Sequence, residues 1–525
     1  LDVNRLTHLI ELYVYQNLPL TSLFMKNGVD EDTFFSDNPN LRYVCADESQ
    51  MAELQQMITD AQLVNVTVSN SYCSFNPGGN YNTISGNIKY DINDNGCDAS
   101  DLNYPYIRIN ITDNTVPGAV LTNTTGNYIF YTQGGSFDIA PAIENATWFT
   151  VSPSTVTIPF ADNNNNLVHQ DFCIAANGYH PDVEVVISPI AFARPGFNAT
   201  YQITFRNKGN QTFSEGIVGL RYDDAVLDFV SASQPTFTQS FENLNWLYTN
   251  LLPFESRSIQ VTLNVNSPTE TPAVNNGDLL HFEVYTYPFE VDENLQDNTF
   301  EYVQTVVGSY DPNDIICLEG DVVAPSEIGN YLHYAINFEN TGTFPAENIV
   351  VKTEVDAAKF DIGSLQLMST NFPVDARITG NKVEFIFENI QLPIGGHGHI
   401  LLKIKTQHTL VTGDEVANRA NIFFDYNFPI DTGLANTVFQ TLSNSVFEID
   451  SSVAIYPNPA TTEITVKANS NIKSIQLYDA QGRIILTSLT DSSEWKLNIS
   501  SYSKGIYFLK ITTEKGAQVQ KLLKD

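Results

Sequence analysis

Short runs in which apolar and polar residues alternate recur along most of the chain. Ile84, Ile88 and Tyr90 share one parity, as do Ile107, Ile109 and Ile111, then Tyr201, Ile203 and Phe205, and later Ile400, Leu402 and Ile404. Period-two spacing places such residues on one face of a strand, and the Asn, Asp and Gly residues between the runs mark turns. One segment departs from this pattern. Met51, Leu54, Ile58 and Ala61 fall on a single helical stripe, and Asp47 and Gln50 before them form a capping-box pair. The pattern predicts a mostly β chain with helix as a minor component.

The first coils follow a different rule. Leu9, Leu12, Val14 and Asn17 are echoed by Leu20, Leu23 and Met25, and again by Leu41 and Val44, which lie 21 residues beyond Leu20 and Leu23. This spacing resembles that of leucine-rich repeats, in which inward apolar side chains stack between adjacent coils. Two or three coils cannot bury such a core unaided. Residues 1–76 are therefore expected to be the C-terminal end of a longer array, closed by the single helix. Residue 1 is Leu and no secretory leader pattern follows it, so the chain is expected to be a mature or truncated piece.

Residues 80–178 read as a β-sandwich. The next two segments, 180–307 and 308–443, repeat one another. Tyr201, Phe205, Asn207 and Gly209 match Tyr334, Phe338, Asn340 and Gly342; Trp246, Asn250 and Pro253 match Phe385, Asn389 and Pro393; Gly277 and Asp278 match Gly413 and Asp414. Two tandem immunoglobulin-like sandwiches are expected. In each, the Asn-x-Gly is read as turn chemistry, with Gly supplying a positive φ. The expected fold class is thus mostly β: tandem immunoglobulin-like and prealbumin-like sandwiches with a short leucine-rich-repeat remnant and helical cap.

Charge divides the chain. The formal net charge is −34, yet residues 453–525 carry nine Lys/Arg against six Asp/Glu, which leaves −37 on the preceding 452 residues. A strongly acidic field repels phosphate backbones and anionic lipid headgroups, so nucleic acid is excluded as an expected partner. No apolar run is long enough for a membrane-spanning helix. The basic tail points to a separate task.

That tail carries Pro457, Asn458 and Pro459, then Tyr478, Gly482 and Arg483, then Gly505 and Tyr507, and finally Lys521 and Lys524. In this order and spacing, residues 452–525 resemble the type A C-terminal sorting domain of type IX secretion system cargo. The resemblance implies periplasmic transit and export through an outer-membrane translocon that reads the tail. Shuttle and sortase components would follow, with release or attachment to anionic lipopolysaccharide at the cell surface. Without the family, the two prolines stop the linker from pairing, and the rest reads as a small sandwich with a basic end.

Residues 80–178 resemble the SdrD B-like domains of bacterial surface proteins, and Ser309 to Asp314 opens a segment similar to an uncharacterised domain often found before such tails. Asp91, Asn93, Asn95 and Gly96 fit the start of a calcium loop, in which oxygen ligands surround a hard cation. The twelfth position is Leu102, and the SdrD B-like resemblance implies Asp98 or Asp101 as the missing carboxylate. The plain alternative is an Asx-turn hairpin with nothing bound. If bound, Ca2+ has a structural role. Asp292 to Asn298 and Asp311 to Asp314 are read as solvated turns, and His397 and His399 as a loop pair.

Five cysteines in an exported protein suggest two disulfides and one spare thiol, with three pairings open for any quartet. Cys45 and Cys73 bracket the cap; Cys97 and Cys173 lie near the ends of one sandwich. Those pairings would close loops of 28 and 76 residues, each contributing about 3 to 4.5 kcal/mol. Cys317 is then the odd one, buried rather than reactive.

No nucleophile elbow, zinc-protease helix or P-loop occurs. The expectation is a non-catalytic, secreted or cell-surface, adhesin-like protein with an unknown protein or glycan ligand. The rival is the ancillary region of a secreted enzyme or a glycan-binding protein, the latter with Trp246 as a candidate sugar-facing ring.

Overall fold

The structure, a computed structural model, describes residues 1–60, 66, 68–309, 311–441, 452–479, 484–513 and 515–525. It divides into two compact units, 1–440 and 441–525. No described helix is long and apolar enough to cross a membrane, which says nothing of strands.

In the first unit the chain begins as a parallel coil. Strand Glu11–Tyr15 pairs with Asp32–Ser36, and Ser22–Met25 pairs with Tyr43–Ala46, with Glu11 opposite Asp32 and Ser22 opposite Tyr43. Both registers carry the 21-residue spacing of the apolar pattern, because stacking one coil on the next superimposes equivalent side chains. Leu23, Met25, Leu41 and Val44 are fully buried. Helix Met51–Asp60 follows and turns Leu54 and Ile58 into this core; Ala61 lies outside the described residues. The Gln50 side chain accepts the Asp47 N–H at 3.3 Å, while the Asp47 carboxylate accepts the N–H of Gly28 at 2.6 Å, joining the helix start to the preceding coil.

Residues 80–178 form two layers. One has the strand order 127–132, 82–91, 172–176, 149–152, and the other 156–160, 135–142, 108–112, 118–121. The two following modules share one topology. The strand order 183–191, 198–207, 256–265, 227–232 recurs as 314–317, 331–339, 397–406, 360–370, and 238–240, 243–251, 213–222, 279–288, 299–305 recurs as 375–379, 382–387, 349–354, 420–424, 430–431. Equivalent turns keep the same atoms. Asn250 and Asn389 both sit at positive φ, 49° and 55°, and the Asp278 and Asp414 carboxylates accept the N–H groups of Asn275 and Val411.

The Asn-x-Gly reading needs correction, because neither Gly209 nor Gly342 adopts a positive φ. The asparagine is the working residue. The Asn207 amide donates to the carbonyls of Gln211 (2.7 Å) and Leu251 (3.0 Å) and accepts from Gly209; the Asn340 amide donates to Phe344 and Leu392, both at 2.8 Å, and accepts from Gly342. Both asparagines are buried, so each pins a loop to a neighbouring strand through backbone groups that would otherwise be orphaned. Gly209 is small for another reason: a Cβ there would lie 2.3 Å from the His180 carbonyl oxygen.

The modules of the first unit are not strung as separate beads. Strand Gly118–Leu121 pairs antiparallel with Asp375–Thr379, so one sheet of nine strands runs from residues 156–160 to residues 430–431 through two modules. Ala119 and Leu121 enter the core of the later module, and Phe254 of the middle module inserts among Tyr90, Tyr104 and Phe149. Trp246 is 2 % exposed and belongs to the core of its own sandwich, which removes it as a sugar-facing ring.

The second unit is one five-stranded antiparallel sheet of strands Ala454–Tyr456, Glu463–Tyr478, Ile484–Asn498, Gly505–Thr513 and Gly516–Lys524, in which Glu463–Tyr478 pairs with three of the others. Ile464, Ile472, Ile475, Leu477, Leu509 and Ile511 fill its core.

Candidate functional site

The sorting residues of the tail come from both ends of its sheet. Pro457, Asn458 and Pro459 lie between the first two strands, where they are exposed, and Lys521 is exposed on the last strand. The Asn458 amide donates to the Lys521 carbonyl at 2.7 Å and its oxygen accepts the Leu523 N–H at 2.9 Å. Ala460 and Leu523 continue the join, with the Ala460 N–H on the Leu523 carbonyl at 2.9 Å. The first and last motifs are therefore one surface, closed by a side chain that mimics a strand partner. Lys524 points inward and is 8 % exposed, its ammonium on the Asp525 carbonyl. The Tyr507 hydroxyl donates to the Ser503 carbonyl and that of Tyr478 to Gln476, so both rings are held. Gly505 opens its strand with open space around it. Gly482 and Arg483 lie outside the described residues.

In the candidate calcium loop the Asp91 carboxylate accepts the N–H groups of Asn95 (3.1 Å) and Gly96 (2.7 Å), and Asn93 also accepts from Asn95. The Asp101 carboxylate accepts from Ile92 and Asp98, while that of Asp98 turns outward to Ser100. Asp91 and Asp101 are 7 % and 6 % exposed, and among the described residues neither has a cationic side chain at ion-pair distance; Lys89 donates instead to the Asp98 carbonyl. Two shielded carboxylates and an Asn oxygen in one loop suit a hard cation, so the residues fit Ca2+. Among the described residues no group of three or more His, Cys, Asp or Glu is arranged to hold a metal.

Cys45 joins Cys73, with Cα atoms 6.1 Å apart, and Cys97 joins Cys173 at 5.6 Å. The second bridge ties the loop after strand Asn82–Asp91 to strand Phe172–Ala176. Cys317 is buried and free, and burial pushes its thiol well above the usual range.

Sequence reasoning missed a buried ionic centre where three modules meet. The Lys403 ammonium lies 2.8 Å from Glu184 and 3.1 Å from Glu144, over the Tyr331 ring. Lys208 lies 3.3 Å from Asp182 and 3.8 Å from Glu184, and is paired with Asp297. Burial opposes the charge on Glu144, but Lys403, Lys208 and Arg206 outweigh it and hold the carboxyl at about 2. Burial wins at Asp182, raised to about 8 despite Lys208, and one of its oxygens has no hydrogen-bond partner. Around Asp182, the carboxylates of Glu144, Glu184 and Asp297 act on Lys208, and Lys403, Lys208 and Arg206 act on Glu144 and Glu184.

His399 is a second correction. It sits in strand His397–Thr406, fully buried, with one ring nitrogen 2.8 Å from Asn337 and the other 3.1 Å from Ser188 of the preceding module. Burial lowers its pKa to about 4. It is a neutral joint between sandwiches, whereas His397 is exposed. The acidic segments likewise close contacts: Asp292 accepts the Val183 N–H, and Asp314 accepts from Asn337.

Residues 454–525 match the family described as the secretion system C-terminal sorting domain, and residues 311–438 match a domain of unknown function, DUF7619. No curated protein matches the chain. Among solved structures, the major pilin subunit BcpA of Bacillus cereus is 12 % identical and covers 85 % of this chain and 94 % of its own, at a TM-score of 0.15. The collagen adhesin CNA from S. aureus is 13 % identical, covering 50 % and 95 %, with a TM-score of 0.18. The C-terminal domain of the Streptococcus pyogenes antigen I/II-family protein AspA is 11 % identical, covering 50 % and 100 %, with a TM-score of 0.17. Likeness at this level is widespread among β-sandwiches and specifies no ligand. The second unit is thus a five-stranded β-sheet unit whose two chain ends meet at Asn458 and whose residues 454–525 match the secretion system C-terminal sorting domain.

Proposed function

We propose that this chain is a non-catalytic, adhesin-like surface protein in which the 1–440 body is freight and the tail is the export address. The observation that carries the reading is the single exposed surface formed by Pro457, Asn458, Pro459 and Lys521 on a unit that matches a sorting domain. An outer-membrane translocon that docks on this surface needs nothing from the body, which explains why the basic tail differs electrically from the acidic freight. Shuttle and sortase components act after docking, and anionic lipopolysaccharide is the anchor if the protein is retained. The parallel coil is a leucine-rich-repeat-like element displayed by the sandwiches. Antibody raised against residues 1–440 is expected to label intact cells or the medium; signal only after outer-membrane permeabilisation contradicts the reading.

The SdrD B-like reading of residues 80–178 brings a structural Ca2+ with it, held by Asp91, Asn93, Asn95 and either Asp98 or Asp101. A cation there neutralises two shielded carboxylates and locks the hairpin to the Cys97–Cys173 bridge. Millimolar Ca2+ is expected to raise the melting temperature of the protein, by about 2.7 kcal/mol of stability at a hundredfold excess over Kd, and Asp91→Asn to abolish the rise. An unchanged melting curve of the unsubstituted protein rules the site out.

A further inference from the structure

The coil, the first sandwich and the last module of the 1–440 unit enclose a groove of about 920 Å3. Its floor is the shared sheet where strand Gly118–Leu121 meets Asp375–Thr379. The acids along its wall are already engaged: Asp47 by the Gly28 N–H, Glu48 by Lys382, Glu384 by the Tyr72 hydroxyl, and Asp113 by Thr115. Two cations are not. The Arg377 guanidinium lies 5.5 Å from the centre of the Tyr131 ring, and the Lys26 ammonium donates only to the carbonyls of Ser71 and Ser74. Among the described residues no carboxylate reaches ion-pair distance of either. Burial lowers the Lys26 pKa to about 8; the charge of Asp47 opposes the fall, Arg377 adds to it, and Glu48 and Glu384 oppose it further. Neither cation is in a direct ion pair: Asp47, Glu48 and Glu384 act on Lys26 from beyond ion-pair distance, and Arg377 lies opposite Glu384 in the strand register.

We infer that this groove binds an acidic oligosaccharide, with a sugar carboxylate on Arg377 and Lys26. The planar guanidinium fork matches a carboxylate bidentately. Its ring support is fixed in advance, because the Tyr131 hydroxyl donates to the Asn76 side chain at 2.7 Å. Amide and hydroxyl groups of Asn76, Gln133, Asn163 and Thr112 lie along the groove beside apolar side chains such as Val116 and Phe137, so a sugar ring meets partners for its hydroxyls and apolar surface for its faces. The inference deepens the adhesin-like reading by giving the body a ligand class, and its test uses purified protein, so it fails or succeeds independently of export.

Calorimetric titration of the full chain with trigalacturonate is the test, alongside neutral galactotriose and triglutamate. Trigalacturonate is expected to bind and galactotriose not to. Arg377→Gln is expected to weaken binding at least about tenfold, the loss of one charge-assisted contact, and Arg377→Lys, which keeps the charge but not the fork, to fall between. Melting curves of both variants show that the fold is kept, and Lys26→Met provides a second route to the same loss. No binding of trigalacturonate at millimolar concentration, equal binding by Arg377→Gln, or tighter binding of triglutamate each overturns the inference.

Discussion

Lys403→Met is expected to lower the stability of the 1–440 unit by about 3–5 kcal/mol, the range for breaking a buried ion pair from one side. The substitution keeps the side-chain length and removes the charge that holds Glu144 and Glu184, which belong to two other modules. Glu184 is 3 % exposed and cannot recover its hydration without opening the junction. Because unfolding entropy scales with chain length, a cooperative unit of this size would show only about a 4 °C fall in melting temperature. Denaturant titration is therefore the better measurement. If the three modules are one cooperative body, the whole transition shifts; a shift confined to one of several resolved transitions would show that they fold separately. Adding Glu184→Gln to Lys403→Met is expected to recover part of the loss, since fewer uncompensated charges then remain buried.

This junction was not legible in the sequence. Ile400, Leu402 and Ile404 announce a strand with one buried face, and by the same alternation Lys403 belongs on the wet face. It is buried because that face packs on another module, where Leu401 joins the middle sandwich's core. Pairing between residues as distant as Glu144 and Lys403, or strands 118–121 and 375–379, leaves no local signature. His399 was hidden in the same way: the glycines before it suggested a loop, but Gly398 is a strand residue, and it is glycine because a Cβ there would clash with the Phe338 ring. What was legible rests on local rules. The 21-residue spacing announced the parallel register, the repeated Asn, Gly and Asp positions announced the shared topology of two modules, and the tail motifs announced a separate unit. Even there the chemistry shifted from Gly to Asn, because a side-chain amide bridging two backbone carbonyls and a flexible glycine leave the same trace in a sequence.

Removing residues 453–525 is expected to abolish export while leaving the 1–440 body folded, since that body forms its own compact unit with its own cores. Both disulfides lie in the body, so the truncated protein should still be protected from proteolysis. The loss should be nearly complete, because the residues that resemble the sorting signal all lie in the removed segment. Asn458→Ala is a milder form of the same change: it unties the first motif from Lys521 and leaves the sheet's core intact, so export should fall without loss of the tail's fold.

The most direct measurement is fractionation of cells carrying residues 453–525 fused to a folded periplasmic reporter, beside cells carrying the truncated protein. The expected result is reporter on the cell surface or in the medium and truncated protein held in the periplasm. Reporter retained inside, or truncated protein reaching the exterior as efficiently as the intact chain, would contradict the claim that the tail alone carries the address.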